Sequence, residues 1–539
     1  MSSHTRALDD LRPPLLSPIE THVATDCEQP PLERLSVDQM LTKYCGEFGV
    51  WQFKHFVLTC MAWALDAFHT MVMIFADREP SWTCEPGSSC IWDSDRSVCG
   101  LQPGSWRWDG GEGQSTVAEW GLVCGQKYKV GLVQALFFVG SMIGSGVFGH
   151  LSDSKLGRKG SLMIVCIMNV VFGLSTSISP NYWTYVILRV LNGLSSGGVG
   201  VCAFVLATEP IGPTMRGIAG MSTFYFFSIG IGLLSGIAYI FQTWRSLYIA
   251  TTIPSVIFLI FILPFISESP RWYLIRGKTD QAMKIMHNIA KSNGKHLPKN
   301  VYIVLDEEPI ETKIESKETT TGSVIDVIKS PIMRTRLLLL MATNFTCTVV
   351  YFGLNLNVTN LKTNINLNVL LNSAAEMPAY FLTAILIDRF GRKPLGVGTQ
   401  WFSGVFCIIG SLIRNQGCGK AVRMACGILG IFGMAGTYNL LYIYAMELFP
   451  TVVRNAALGC ARQVGQLGNI LVPFVVVMDG GRSFMIFGAC GILGGILMFY
   501  LPETLNKLLY DTMNGETSTK VSYDHANQTM DEENKLVDE

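Results

Sequence analysis

Charge is what this sequence has least of. Only 15% of its 539 residues are Asp, Glu, Lys or Arg, where a soluble chain carries about a quarter. The 41 basic and 41 acidic side chains cancel, so net charge points to no nucleic acid and no strongly acidic partner. There is no Gly-x4-Gly-Lys-Ser/Thr loop, no metal-ligand cluster and no nucleophile motif. Those absences exclude an ATP-driven pump, and they leave no expectation of an enzyme or a resident cofactor. Alternating strand patterns are missing too, which excludes a membrane barrel. The first fifty residues hold no apolar run of the kind a cleaved signal peptide needs.

What is abundant is apolar: 49% of residues are hydrophobic and the mean hydropathy is +0.34. These residues gather into twelve continuous blocks, at 55–76, 130–151, 160–179, 183–207, 218–241, 244–266, 334–357, 369–388, 394–413, 424–445, 457–478 and 483–501. Each is about twenty residues long, the length of helix that crosses a hydrocarbon core of about 30 Å. The expected fold is an all-α polytopic membrane protein. Its parts are a polar tail over 1–50, a six-helix bundle over 51–266, a connection over 267–333, a second bundle over 334–505 and a second polar tail. Both tails are expected to be largely disordered.

The sparse charges are unevenly placed. Lys155, Arg158 and Lys159 fill one short loop and Arg389, Arg392 and Lys393 another, while the connections at 179–181 and 242–245 are almost uncharged. The positive-inside rule puts the charged loops and both termini in the cytoplasm; Arg414, Lys420 and Arg423 vote the other way. The long segment 77–129 then faces outward, and its Cys84, Cys90, Cys99 and Cys124 read as two disulfides with three open connectivities. Asn357-Val-Thr359 is the best external glycosylation sequon. External disulfides favour the plasma membrane, with a vacuolar membrane as the alternative.

The chain repeats itself. "DSKLGRK" at Asp153 is echoed by "DRFGRK" at Asp388, an offset of 235. Glu209, seven residues before Arg216, is echoed by Glu447 before Arg454, and "ESPRW" at Glu268 by "PETL" at Glu503. Three polar signatures recurring in one order make the two six-helix halves copies of each other. A duplicated unit with this loop motif resembles the major facilitator superfamily of secondary transporters. Within it, "STVAEWGLVC" (115–124), "ESPRWYLIRGK" (268–278) and "AMELFPTVVRN" (445–455) resemble the organic cation/carnitine transporters, plant-type members in particular. The resemblance implies secondary active or facilitative transport of small organic cations or zwitterions (carnitine, choline or polyamine-like) by alternating access across the bilayer; protons and sodium are the candidate coupling ions. It also implies that the loop charges latch the two halves together on the cytoplasmic side. Gly149 and Gly157 are expected to permit close approach there, and Asp153 to accept from the first turn of another helix. Arg158, Lys159, Arg216 and Arg271 are expected to pair with Glu209 and Glu268, mirrored by Asp388, Arg392, Glu447, Arg454 and Glu503. The first copy of the motif has three residues between Asp153 and Gly157 where the second has two, so the pairing role of Lys155 or Arg158 stays open.

An ionisable residue inside a spanning helix costs a few kcal/mol and marks a functional position. Asp66 and His69 share one helix, three residues apart, and Asp66 and Arg189 lie at depths that differ by only about 6 Å. An Asp66–Arg189 ion pair is expected; it resembles the proton-coupling pair of sugar–proton symporters. Glu376, beside Pro378 in a helix the proline should open, is the expected anionic contact for a cationic substrate. Tyr351, Tyr442 and Tyr444 would offer aromatic faces. Gln466 occupies a position that is charged in animal relatives, and Arg462 one turn earlier would join Glu376 in holding a zwitterion such as carnitine. A proton-linked sugar or organic anion carrier and a non-transporting nutrient receptor are the alternatives. Among the amides a sugar carrier needs, Gln134, Asn439 and Gln466 stand out.

Overall fold

The computed structural model describes residues 33–87, 98–102, 104–154, 156–298, 300–304, 324–361, 363–413, 418–478 and 480–505. Six long helices form the first half: α1 (Val50–Met71), α2 (Tyr128–Asp153), α3 (Gly157–Ser177), α4 (Tyr182–Thr208), α5 (Pro213–Ile240) and α6 (Trp244–Ile257). Six form the second: α7 (Pro331–Leu356), α8 (Ile365–Phe390), α9 (Arg392–Leu412), α10 (Cys418–Leu448), α11 (Thr451–Val476) and α12 (Gly480–Phe499). Their starts carry the expected stop signals for backbone N–H groups. The side chains of Asn181, Thr243 and Asn364 accept from the third residue of α4, α6 and α8, and prolines open α5 and α7.

Among the described residues, eleven helices are long and apolar enough to cross a membrane. The twelfth expected block is present as the 26-residue α11, but it carries Arg462, Gln463, Gln466 and Asn469 and is too polar to qualify by composition. Those polar residues line a cavity, where they need not face lipid. Pro378 does not open α8, which runs through it from Ile365 to Phe390.

Packing repeats with the sequence. In the first half α2 lies on α4, α1 on α5 and α3 on α6; in the second α8 lies on α10, α7 on α11 and α9 on α12. Between the halves, α2 meets α11 and α5 meets α8, which is again a two-fold pattern. Small residues set the closest approach. A Cβ added at Gly140 or Gly144 of α2 would overlap the carbonyls of Val190 or Leu194, and one at Gly193 or Gly197 of α4 would overlap those of Phe137 or Ser141. Gly149, where close approach was expected, would meet only Val201 at an ordinary 3.8 Å.

The polar tail is shorter than expected. From Glu33 the chain forms β1 (Glu33–Leu35), a helical turn at Val37–Met40 capped by Ser36, and a further turn to Cys45. β1 pairs in parallel with Val301–Ile303, and Leu41 and Cys45 pack on Met286 and Ile289 of the helix Thr279–Ser292. Those turns hide an apolar stripe that twelve stronger blocks overshadow. At the other end of the bundle, Trp82–Cys84 and Trp106–Trp108 pair antiparallel. The short helix Thr116–Trp120 is tied down there by Glu119, which accepts from Arg245 (2.5 Å) and Trp244 (2.7 Å). Cys99 and Cys124 are bonded and Cys84 is disulfide-bonded as well, while Cys90 lies outside the described residues. Asn357 is 1% exposed and its Oδ1 accepts from Asn360 at 2.7 Å. A glycan on it has no room, which corrects the sequon reading.

Candidate functional site

Between the halves lies a cavity of about 620 Å³, a size that suits a small molecule. Its deep end holds Trp63, Asp66 and Thr70 of α1 and Tyr351 of α7; its mouth is at Asp153, Arg158 and Glu209, the face of the bundle that carries the loop motifs. At the opposite, disulfide-bearing face the halves close. A Cβ at Gly131 would stand 3.2 Å from Val477, and Ser235 donates to the Asn366 carbonyl at 2.7 Å. Among the described residues, the cavity opens towards the charged face.

Asp66 lines the cavity but does not pair with Arg189. Its Oδ1 accepts from Ser196 at 2.5 Å, and Ser196 in turn contacts the Thr70 hydroxyl at 3.1 Å. Arg189 is 1% exposed, donates to the His69 carbonyl at 3.0 Å and lies over the Phe137 ring at 4.2 Å. His69 faces away from Asp66, with its Nε2 3.0 Å from Ser255 on α6. The physical reason is helix rotation. Residue i+4 is displaced by about 40° from Asp66 in one sense and i+3 by about 60° in the other, so Thr70 keeps the cavity and His69 turns into the bundle. Near Arg189 sits a carboxylate that the sequence reading left in the loop, Asp77. It is buried and accepts from Thr116 and Tyr185, both at 2.8 Å.

Glu376 does not line the cavity. It is fully buried where α8 meets α5, accepting from Ser228 across the two halves, from Tyr380 at 3.3 Å and from Asn355 at 3.3 Å. Its carboxylate is not free, and Pro378 does not expose it. Tyr351 does line the cavity, stacked on Tyr438 at 5.0 Å, a residue the sequence reading passed over. Tyr442 lines it too, but its ring already carries Arg462, 4.2 Å away. Tyr444 is elsewhere: it is fully buried and donates to the Pro502 carbonyl at 2.6 Å. Gln466 lines the cavity and accepts from Asn469 at 2.8 Å. The aromatic faces that accompany Asp66 are Trp63, Phe224 and Phe227, with Trp63 5.6 and 6.2 Å from the two phenylalanines. Trp63 lies three residues before Asp66, a signal that its isolation in sequence obscured.

The loop motifs come together, twice, within their own halves. Arg158 reaches Asp153 at 3.1 Å and Glu209 at 3.2 Å; Arg392 reaches Asp388 at 3.6 Å and Glu447 at 2.8 Å. So Arg158 takes the pairing role, while Lys155 lies outside the described residues. The first-turn N–H groups expected to meet Asp153 meet other carboxylates instead. Glu268 accepts from the backbone of Arg158 (3.1 Å) and Lys159 (3.0 Å), and Glu503 from Arg392 (3.0 Å) and Lys393 (2.9 Å). Gly157 and Gly391, with φ of 79° and 88°, make both turns possible, and a Cβ at either would collide with the capping carboxylate. Lys159 Nζ goes to the Pro264 carbonyl at 3.1 Å, not to a carboxylate. Arg216 and Arg271 do not join Glu209 and Glu268; both bind Asp38 of the N-terminal turn, Arg216 at 2.6 Å. Arg454 donates to the carbonyl five residues back, at Phe449 (3.4 Å), as Arg216 does at Ile211 (2.9 Å). These pairs brace each half internally, so the inter-half latch is not what they form with the cavity open at this face.

Burial raises the Glu268 carboxyl above the ordinary glutamate value despite its backbone donors. At Glu503 burial pushes the same way, but four backbone N–H groups outweigh it and hold the carboxyl low. Burial also opposes ionisation of Asp38, and the two arginines overcome it.

Residues 112–514 match the family described as Sugar (and other) transporter. The chain is 62% identical to organic cation/carnitine transporter 4 of Arabidopsis thaliana over 514 residues, covering 95% of this chain and 96% of that one. It is 30% identical to an organic cation transporter protein of Drosophila melanogaster, covering 89% and 94%. Among solved structures it is similar to a partially occluded inward-open form of the xylose transporter XylE from E. coli, with a TM-score of 0.61 at 18% identity, covering 85% of this chain and 100% of that one.

Proposed function

This chain belongs to the sugar (and other) transporter family, among its organic cation/carnitine transporters, and we propose that it carries small organic cations or zwitterions by alternating access. The observation that carries the reading is the charge inside the cavity: beyond Asp153, Arg158 and Glu209 at its mouth, it holds the deep carboxylate of Asp66, with aromatic faces beside it, and the guanidinium of Arg462, held over Tyr442. A quaternary ammonium offers no N–H and is recognised by charge and aromatic faces, which Asp66, Trp63, Phe224 and Phe227 supply. A carboxylate on the same substrate is met by Arg462 and Gln466. Glu376, one layer behind Tyr351, adds negative potential without touching the substrate in this state, and it clasps α5 to α8 through Ser228.

In this reading the charged face is cytoplasmic, the cavity is inward-facing and the membrane is the cell surface. Asp66 takes a proton in one orientation and releases it in the other, which ties the cycle to a pH gradient. Rocking brings the charged ends of α2 and α11 together when the site faces outward, and only then do the motif residues reach across. Three amides on α11, Gln463, Gln466 and Asn469, line the same cavity and support a sugar-carrying alternative. Uptake of labelled carnitine, choline, polyamines, glucose and a dicarboxylate at two external pH values separates the readings. Carnitine or choline uptake that rises above empty vesicles supports the proposal, and uptake of glucose alone overturns it.

A further inference from the structure

Resting on that transport reading, we infer that Asp77, a residue outside the cavity, sets its preference for cations by cancelling the charge of Arg189. Away from the charged face, the buried carboxylates and guanidiniums of the first half are, among the described residues, Asp66, Asp77 and Arg189. Arg189 stands behind the cavity wall. Its guanidinium lies 4.2 Å over the ring of Phe137, which lines the cavity. It also donates to the carbonyl of His69 at 3.0 Å, three residues along α1 from Asp66. A fixed positive charge one ring behind the wall repels an ammonium that approaches Asp66. Left alone, Asp66 and Arg189 would give the deep end no net charge.

Asp77 supplies the further negative charge. It lies one residue beyond the spanning segment Val50–Ala76 and is 5% exposed. Its Oδ1 accepts from Thr116 and Tyr185, both at 2.8 Å, a pattern that suits an ionised carboxylate. The Tyr185 hydroxyl is also 2.9 Å from that of Tyr248, whose ring is 5.8 Å from the Arg189 guanidinium, so both charges sit in one buried network. Burial pushes the Asp77 carboxyl up. The attraction of Arg189 is the foremost influence against it, ahead of hydrogen bonds from Thr116, Tyr185 and Gln134. One oxygen of Asp77 and one terminal nitrogen of Arg189 have no hydrogen-bond partner, so the two are coupled by charge and not by a direct bond. Charges nearer the surface act more weakly: Arg78 is half-buried, and Glu79 is paired with Lys127 at 3.7 Å.

The test compares initial-rate uptake of choline and carnitine into proteoliposomes. Asp77 follows Asp66 by eleven residues, about 16 Å along a helical path. At that separation, with an effective dielectric constant of about 20, one charge changes the affinity for a cation about fivefold. Asp77→Asn should therefore raise the choline KM about fivefold. The carnitine KM should rise less, because its carboxylate offsets its ammonium, and Vmax should hold for both. Arg189→Gln should move the ratio of choline to carnitine KM the opposite way, and D77N with R189Q should return it towards that of the unmodified protein. A role in folding alone would lower Vmax for both substrates and would not change sign between an acid and a base. If D77N does not fold, the double variant is read against R189Q, and an equal ratio in the two overturns the inference. So do choline and carnitine KM values that rise together in D77N, or a ratio that R189Q leaves unchanged or raises. Saturable uptake of neither substrate by the unmodified protein would overturn the transport reading and this inference with it. Uptake of both with a ratio that D77N does not move overturns this inference alone.

Discussion

Replacing Arg462 by Gln tests the two-pole cavity most directly. Arg462 is half-buried in the cavity wall, its guanidinium 4.2 Å from the Tyr442 ring. At that exposure a charge-assisted hydrogen bond to a substrate carboxylate contributes about 1.5–3 kcal/mol, or roughly 10- to 150-fold in affinity. The loss should appear in the KM for carnitine. Choline has no carboxylate and should lose nothing; freeing the Tyr442 face gives its ammonium a further aromatic partner, so its KM should hold or fall. The assay is initial-rate uptake into proteoliposomes of both substrates by the unmodified protein, R462Q and R462K. R462K keeps the charge and should recover part of the carnitine affinity. A carnitine KM unchanged in R462Q, or carnitine and choline KM values rising together, would refute the assignment.

Asp66→Asn should remove the dependence of uptake on external pH and weaken choline and carnitine alike; an unchanged pH profile rejects the coupling role. Gly144→Val places a side chain against the Leu194 carbonyl and should cost about 1–3 kcal/mol, read as a lowered unfolding temperature; an unchanged temperature removes the close α2–α4 contact from the account. Glu503, held low by its backbone donors, contributes stability that is present above the ordinary glutamate value and lost as pH falls through its depressed folded value. Glu268, raised by burial, has the opposite sign: folding favours its protonated form, so its contribution rises as pH falls through a value above the ordinary one. The pH dependence of melting in E503Q should therefore depart from the unmodified protein in a more acidic range than that in E268Q, and departures over one shared range would reject the asymmetry.

The helices were legible because hydrocarbon thickness imposes a length that apolar runs display, and the duplication because the same loop chemistry needs closely similar short motifs. α11 shows the limit of that signal: its span was read from length, yet its polarity belongs to a cavity that only the second bundle's placement explains. Partners were less legible than positions. The sequence places Asp66, His69 and Arg189 at similar depth, but the rotation of each helix decides which atoms meet, and a turn of about 100° per residue separates Thr70 from His69. Glu376 is legible as a carboxylate inside a spanning helix, while its partners Ser228, Tyr380 and Asn355 come from three helices with no common motif. Asp38 was missed because a short capping box, Ser36 to Gln39, carries little weight beside long polar stretches.

The doubled network also changes what a latch must be. Each arginine of the loop motif is already shared between two carboxylates of its own half, and each capping glutamate is saturated by backbone donors. Bonds made within a half do not change when the halves rock as rigid bodies, so they cannot themselves favour one orientation over the other. Asp153 and Asp388 differ from the rest: their side chains are 70% and 78% exposed, each carboxylate at the edge of its network on Arg158 or Arg392, with the Asp153 carbonyl accepting from Arg276 besides. In the proposed cycle they would be the members that exchange a partner as the charged ends approach. The caps would hold Arg158 and Arg392 in place while the two aspartates exchange partners, and the Ser228–Glu376 contact between the halves would have to break or persist with them.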